Sequence, residues 1–179
     1  MKILKNNLRS NVKLRTQKDY PKEGIEFIDI TPLILDKDAF KEITDLFIED
    51  IKDKNIDYIV APEARGFLFG SSVAYKLGIG LLPVRKKGKL PPVAVAKTFD
   101  YEKEYGKDTL ELTKLVDGTY DNKNFYIIDD IYATGNTVKA IEEAITSLNG
   151  NVKGVGVVMN IKELNNREDV FSIMDINEE

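Results

Sequence analysis

The 179-residue sequence contains neither cysteine nor histidine, and these two absences exclude several classes of chemistry. Without cysteine there can be no disulfide framework and no thiol nucleophile, and without either residue type the usual ligands of zinc are missing. Hydrolysis by a Ser-His-Asp triad is excluded for the same reason. Any catalysis must therefore use carboxylates, lysine, arginine, tyrosine, hydroxyl groups or a bound metal ion.

Long apolar runs are also lacking. No stretch reaches the roughly 18 apolar residues that a membrane span requires, and the basic segment at residues 1–18 has no apolar core of the kind that export signals carry. These absences predict a cytoplasmic protein that does not enter membranes. Leu4 and Leu8 are four residues apart, which predicts a short amphipathic helix in this segment. The formal net charge of -4 argues against broad electrostatic binding of nucleic acid.

Hydrophobic residues make up 42% of the chain, which is enough for one domain with a single sizeable core. Apolar runs predict strands, and helical periodicity predicts helices between them. The predicted strands are 25–30, 56–60, 81–85, 109–112, 125–130 and 152–159; the predicted helices are 38–51, one ending near Gly78, and 138–148. This alternation predicts an α/β fold with a mostly parallel sheet. Residues 86–97 and 100–108 are expected to form an irregular basic loop and a polar, mobile segment.

The segment 125–137 carries the most functional information. Four apolar residues predict a strand buried on both faces, two acids follow, and a short turn then enters a helix. Free backbone N–H groups at such a helix start bind phosphate. The residues of this predicted site are Asp129, Asp130, Ala133, Thr134, Gly135, Asn136 and Thr137. The two carboxylates are expected to accept hydrogen bonds from ribose hydroxyls or to help hold magnesium. Taken alone, an ordinary acidic turn before a helix remains an alternative.

Three polar segments follow predicted strands, at 62–66, 86–89 and 129–137. Because ligands bind at the carboxyl ends of parallel strands, the three are expected to share one cleft. Arg65, Arg85 and Lys89 bring positive charge to it, which suits a ligand with a diphosphate. The alternative for the second segment is a solvated basic loop.

The pattern at 125–137 resembles the phosphoribosyl pyrophosphate (PRPP) signature of the type I phosphoribosyltransferases. Further stretches at 20–25, 27–32, 62–67, 84–91 and 101–106 resemble, in order, the adenine phosphoribosyltransferase subfamily. The likeness extends over roughly residues 20–167. It departs from the family pattern at Ile28, where arginine is usual, at Asn136, where glycine is usual, and at Asn160, where glutamate is usual. Asparagine tolerates a left-handed backbone better than other non-glycine residues, so the turn is expected to survive.

The resemblance implies a type I phosphoribosyltransferase fold over residues 1–179, with a central, mostly parallel sheet, flanking helices and a small N-terminal hood at about residues 1–35. It implies a magnesium-dependent transfer of the phosphoribosyl group from PRPP to adenine, which yields AMP and pyrophosphate. It also implies a homodimer, because the family shares basic loop residues across a subunit interface.

The resemblance further implies individual roles. Glu104 is expected to handle the proton of the base, on a closing loop that also carries Tyr105. Arg65, Arg85 and Lys89 are expected to meet the pyrophosphate. The base is expected to lie among Ile25, Glu26, Phe27, Ile28 and Ile161.

Two alternatives stay open. The departures at Ile28 and Asn160 leave room for another purine base, such as hypoxanthine, guanine or xanthine. The same fold also serves non-catalytic regulators that sense PRPP or nucleotides. The intact Glu104 and Tyr105 favour an enzyme.

Overall fold

The structure is a computed structural model, and it describes residues 2–20, 22–24, 26–103 and 106–177. In these residues the strands are β1 (Lys2–Asn6), β2 (Arg15–Lys18), β3 (Glu26–Asp29), β4 (Tyr58–Pro62), β5 (Gly80–Lys86), β6 (Val95–Lys103), β7 (Gly106–Thr113), β8 (Asn124–Tyr132), β9 (Asn151–Ile161) and β10 (Val170–Asn177). The α-helices are α1 (Thr31–Leu35), α2 (Lys37–Ile51), α3 (Arg65–Leu77) and α4 (Asn136–Thr146). Short 3-10 turns occupy Pro92–Ala94 and Lys162–Leu164.

Within the described chain, eight strands form one sheet in the order β1-β10-β9-β8-β4-β5-β7-β6. The central strands from β10 to β5 are parallel, whereas β1, β7 and β6 join antiparallel at the two sides. Strands β2 and β3 form a separate antiparallel pair. The predicted α/β fold with a mostly parallel sheet is therefore confirmed.

Helices cover both faces of the sheet, because its central strands are apolar on both sides. Phe125 to Ile128 of β8 are completely buried. On one face Phe47 of α2 and Phe69 of α3 belong to one hydrophobic cluster. On the other, Ile141 of α4 belongs to a second cluster with Leu110 and other residues of the β6–β7 pair. Two hydrophobic clusters thus enclose the sheet, and its carboxyl-end edge stays accessible.

The helix boundaries follow local sequence signals. Asp36 accepts hydrogen bonds from the backbone N–H groups of Asp38 and Ala39, at 3.0 and 2.8 Å, and so caps α2. Helix α3 ends at Gly78, which has a left-handed backbone (φ 68°). The end of α3 confirms the sequence prediction.

Two local predictions were wrong. Residues 2–6 form the edge strand β1, not a helix, because they pair with β10; Leu4 is 49% exposed. The first strand therefore belongs to the main sheet, and only β2, β3 and α1 remain for a hood within residues 1–35. The described part of 100–108 is not a loop either, since it belongs to β6 and β7, which pair with each other, and β7 also pairs with β5.

Candidate active site

The sheet has a switch point between the neighbouring strands β4 and β8. From β4 the order continues to β5, and from β8 it continues to β9 in the opposite direction. Parallel sheets bind ligands beyond the carboxyl ends of strands at such a point. A cavity of about 270 Å³ lies there, lined by Glu102, Asp129, Ile131, Tyr132, Ala133, Thr134, Gly135, Asn136, Thr137 and Val138. The structure thus places the predicted phosphate turn on the wall of one cavity.

The turn at residues 133–137 leaves the start of α4 open. Gly135 precedes the helix with a left-handed backbone (φ 81°), and no side chain caps the free N–H groups. Helix α2, by contrast, is capped by the carboxylate of Asp36. Uncapped N–H groups and the positive end of the helix dipole favour an anion. The geometry is therefore that of a phosphate cradle.

Asn136 does not have the left-handed backbone that the resemblance to the family pattern suggested. It is the first residue of α4, and the left-handed conformation belongs to Gly135. The exchange of glycine for asparagine at 136 therefore places no demand on the turn, because a helical residue needs no glycine.

The two carboxylates at the end of β8 have different environments. Asp130 is 5% exposed, and its Oδ2 lies 2.5 Å from Nε of Arg65. The Oδ1 of Asp129 accepts a 2.8 Å hydrogen bond from the Asp130 backbone N–H. Burial raises the pKa of Asp129 well above its ordinary value, and the neighbouring Asp130 carboxylate raises it further, whereas Arg65 counteracts both. A group with such a raised pKa gains from a ligand that donates hydrogen bonds or brings positive charge.

Arg65 reaches Asp130 because α3 packs close to β8. A Cβ atom on Gly66 would lie 3.1 Å from Oδ1 of Asp129 and 2.9 Å from Pro62, so the close packing requires a glycine. Helix α3 also begins without a side-chain cap. Two open helix starts therefore face the switch point, one after β4 and one after β8.

Arg85 is held by Glu63, which follows β4. Its Nε donates a 2.6 Å hydrogen bond to Glu63 Oε2, which also accepts one from the Lys86 backbone N–H at 3.0 Å. Burial opposes ionisation of Glu63, but these donors outweigh it and lower the pKa of the carboxyl. Lys89 lies on the exposed turn that follows β5. The structure thus brings Arg65 and Arg85 to the strand ends and leaves Lys89 in solvent.

The β2–β3 pair approaches the site through Phe27. The guanidinium of Arg65 lies 5.8 Å from the centre of the Phe27 ring, and Tyr20 packs edge-on against the same ring at 5.3 Å. Ile28 and Ile161 are 4% and 6% exposed and belong to one core cluster. The side chain of Ile28 therefore faces the core. Glu26 is partly exposed on β3, and Ile25 lies outside the described residues.

Glu104 and Tyr105, the residues assigned to the closing loop, also lie outside the described residues. Their neighbour Glu102, which sequence reasoning did not select, lines the cavity. Tyr132 was missed too. It follows Asp130 by two residues in β8, and residues two apart in a strand lie on the same face. This spacing was the available signal that Tyr132 lies near the site.

Within residues 2–20, 22–24, 26–103 and 106–177, no group of three or more acidic side chains forms a ready metal site. A magnesium ion would therefore need ligands from substrate, as magnesium does when one or two carboxylates and phosphate oxygens hold it. Asp129 and Asp130 fit that donor set. None of the helices in the described part of the chain has the length and hydropathy needed to cross a bilayer.

Sheet topology, paired carboxylates and an open phosphate turn together define a phosphoribosyl-binding protein. The chain belongs to the phosphoribosyltransferase family, because the family model described as "Phosphoribosyl transferase domain" matches residues 34–176. Within that family it is related to the adenine phosphoribosyltransferases. That of Clostridium acetobutylicum is 46% identical over 169 residues, which cover 92% of this chain and 96% of the relative. That of Clostridium tetani is 45% identical over 156 residues, covering 87% and 88%.

Solved structures agree. The crystal structure of adenine phosphoribosyltransferase from Thermoanaerobacter pseudethanolicus matches with a TM-score of 0.83 and 39% identity, over 91% of this chain and 95% of that one. The Saccharomyces cerevisiae enzyme, crystallised with an imino-altritol bisphosphate and adenine, matches with a TM-score of 0.76 and 36% identity, over 89% and 93%. The fold and the subfamily expected from the sequence are confirmed.

Proposed function

We propose that this protein transfers the 5-phosphoribosyl group of PRPP to adenine, with release of pyrophosphate and formation of AMP. The observation that carries the proposal is the uncapped turn at 133–137 directly beyond the Asp129–Asp130 pair, at the switch point of the sheet. The yeast relative was crystallised with a sugar-like bisphosphate and adenine, which supports both halves of the substrate pair. This reaction belongs to purine salvage.

The phosphate end of the substrate binds at the turn. The backbone N–H groups of residues 134–137 and the hydroxyls of Thr134 and Thr137 serve as donors to a 5-phosphate. Asp129 and Asp130 then face the ribose, where their oxygens accept hydrogen bonds from its hydroxyls. A carboxylate beside the ring also stabilises the positive charge that develops at C1.

The pyrophosphate end requires positive charge. Arg65 and Arg85 lie at the ends of the adjacent strands β4 and β5, and each already contacts a carboxylate, Asp130 and Glu63 respectively. Such pairing holds the guanidinium groups in place before the ligand arrives, so that less side-chain entropy is lost on binding. Lys89, on its exposed turn, contributes only when that turn approaches the site.

Asp129 and Asp130 would hold a magnesium ion together with substrate oxygens, and the ion would neutralise charge on the diphosphate. The chain's own groups perform the remaining work. The bond from C1 to the pyrophosphate oxygen breaks with its electron pair on pyrophosphate, N9 of adenine forms the new bond to C1, and the base loses one proton. Arg65 and Arg85 stabilise the departing charge.

Adenine binds between β3 and the end of β9. Phe27 offers a ring face near Arg65, and Ile161 closes the opposite side, with backbone groups of residues 25–29 as hydrogen-bonding partners. Because the Ile28 side chain faces the core, it contributes shape and not a polar contact. The Giardia lamblia relative, 26% identical, was crystallised with 9-deazaadenine, which supports a purine site in this fold.

The decisive assay incubates the protein with PRPP, magnesium and one purine base at a time and measures nucleotide formation. We expect AMP from adenine and no AMP when a chelator removes magnesium. Formation of IMP, GMP or XMP instead would favour the alternative of another base. Binding of PRPP without nucleotide from any base would favour a non-catalytic sensor.

Glu104 is the proposed proton-handling residue. Replacing Glu104 with glutamine should lower kcat for AMP formation by roughly 10²- to 10⁴-fold, because the amide cannot exchange the proton that the base must lose. The KM for PRPP should change little. Glu49 is exposed on α2 and is not among the residues that line the cavity, so Glu49→Gln is the control and should match the native rate. Undiminished turnover in Glu104→Gln would remove the proposed role.

We also propose a homodimer. Helix α3, which begins with Arg65, presents two exposed apolar side chains, Leu68 and Tyr75, which are 43% and 90% exposed. An apolar surface beside the site is what a shared subunit interface requires. Light scattering at micromolar concentration should give twice the mass of one chain, and a single-chain mass would contradict the proposal. A cytoplasmic location stays a prediction.

A further inference from the structure

The segment between β9 and β10, residues 162–169, lies against the phosphate turn. It begins with the short helical turn Lys162–Leu164 and then extends back toward the start of β10. We call it the crossover segment. Two of its side chains, Asn165 and Arg167, reach the elements that flank the turn.

The side-chain amide of Asn165 connects the ends of two neighbouring strands, β8 and β9. Its Nδ2 donates to the Ala133 carbonyl at 2.9 Å, to Asn160 Oδ1 at 3.0 Å and to the Ile161 carbonyl at 2.9 Å. Its Oδ1 accepts from the Arg167 backbone N–H at 3.2 Å. Because three oxygens surround one end of the amide and an N–H meets the other, only this orientation satisfies its hydrogen bonds.

The contact with Ala133 fixes a donor of the phosphate cradle. In a trans peptide the carbonyl and the following N–H point in opposite directions in one plane. The Ala133 carbonyl points at Asn165, which does not line the cavity, so the Thr134 N–H points away from Asn165. Residues Ala133 and Thr134 line the cavity. Asn165 therefore holds the Thr134 N–H in the direction from which a phosphate approaches.

Arg167 holds the other side of the turn. Its guanidinium makes a bidentate pair with Glu142 of α4, at 2.8 and 2.7 Å, and also binds Asp169. Tyr132, at the end of β8, lies against Gly135. The crossover segment thus holds the strand before the turn and the helix after it.

We propose that Asn165 is a positioning residue that orients the phosphate turn and couples it to the end of β9, where Ile161 forms the floor of the base site. This inference rests on the proposed function. It assigns to Asn160 a role as well: its buried side-chain oxygen accepts a hydrogen bond from Asn165. Without the amide the Ala133–Thr134 peptide can rotate, and a carbonyl in place of the N–H would repel the phosphate.

The test compares Asn165→Ala and Asn165→Asp with Asn166→Ala, since Asn166 is an exposed neighbour of the same residue type. We expect Asn165→Ala to weaken AMP binding in calorimetry about tenfold, the equivalent of one lost hydrogen bond and a misdirected donor. The KM for PRPP should rise by a similar factor with a smaller change in kcat. Asn165→Asp keeps the shape but places oxygen against three oxygens, so its effect should be larger. Asn166→Ala should bind AMP as the native protein does.

A readout in the ligand-free protein separates this inference from the proposed function. The NMR shifts of the Ala133 carbonyl carbon and the Thr134 amide nitrogen should move in both Asn165 variants and stay in place in Asn166→Ala. If the folded Asn165 variants kept native shifts and native AMP affinity, the positioning role would be overturned while the proposed function stood. If native protein bound no AMP and formed none, the proposed function would fail, and the shifts would still decide whether Asn165 orients the turn.

Discussion

Replacing Asp129 with asparagine should lower the rate of AMP formation by about 10²-fold while making the ligand-free protein more stable at pH 7. The loss of activity follows from the missing negative charge beside the ribose. The gain in stability follows from the raised pKa of Asp129, which arises from burial and from the charge of Asp130. Asparagine keeps the oxygen that accepts from the Asp130 N–H, so the local structure should persist.

The sign of the stability effect follows from proton linkage. A carboxyl with a raised pKa binds its proton more tightly in the folded state than in the unfolded chain. Native stability is therefore lost as the pH rises from the ordinary value of 3.8 through the folded pKa of Asp129. Asparagine cannot ionise, so the variant avoids this loss. Its advantage in melting temperature should be present at pH 7 and should shrink as the pH falls toward 3.8.

The matched control is Asp53→Asn, because Asp53 is exposed near the end of α2. That change should leave the rate of AMP formation at the native value. An Asp129→Asn protein that melted below the native protein at pH 7 would show that the carboxylate stabilises the ligand-free fold. The premise that the ionised Asp129 carboxylate lowers folding stability and is retained for activity would then be wrong.

The central part of the fold was readable from the sequence because its signals are local. The apolar run at 125–128, the two acids and the turn predicted β8, the cavity wall and the start of α4, and each lies where it was expected. A strand that is buried on both faces has a continuous apolar run, and such a run bounded by polar residues indicates a central strand of a parallel sheet. The convergence of the β4 and β8 ends followed from the rule for parallel sheets.

The parts that sequence reasoning missed depend on distant pairing. The four-residue spacing of Leu4 and Leu8 fits a helix, yet the backbone of residues 2–6 satisfies its hydrogen bonds on β10, an element at the other end of the chain. Strand β10 itself was not predicted. The described part of the polar segment 100–108 became strand because β6 and β7 pair with each other, and β7 continues into its pairing with the edge of β5. Edge pairing of this kind leaves little trace in local composition.

Within the site, too, residue types were predictable from the sequence, whereas the contacts between distant residues were not. Residue types indicated that Arg65 and Asp130 belong to one cleft, but their 2.5 Å contact depends on how closely α3 approaches β8. The hydrogen bond from Asn165 to Ala133 joins residues 32 positions apart, and the crossover segment has no periodicity that would reveal it. Contacts of this kind follow from packing alone.

Replacing Gly135 with alanine should reduce AMP formation by about 10²-fold, because the turn cannot keep its shape with a Cβ atom at this position. The backbone of Gly135 is left-handed (φ 81°), and a Cβ there would lie 2.5 Å from Cζ of Tyr132 and closer still to its hydroxyl. Tyr132 cannot yield freely, since it is 4% exposed and packs within a hydrophobic cluster. The turn must move instead, and calorimetry should show a matching loss of AMP affinity.

The control variant Gly118→Ala separates the effect of the overlap with Tyr132 from the effect of a left-handed backbone at a non-glycine residue. Gly118 has nearly the same φ, 78°, but a Cβ there would meet nothing within 4 Å. Both variants should lose about 1 kcal/mol of stability from the left-handed backbone of a non-glycine residue. Only Gly135→Ala should also lose AMP binding. Because the overlap is with Tyr132, the double variant Gly135→Ala with Tyr132→Ala should recover part of that binding. Equal AMP affinity in the native protein and in Gly135→Ala would mean that the phosphate does not bind at this turn.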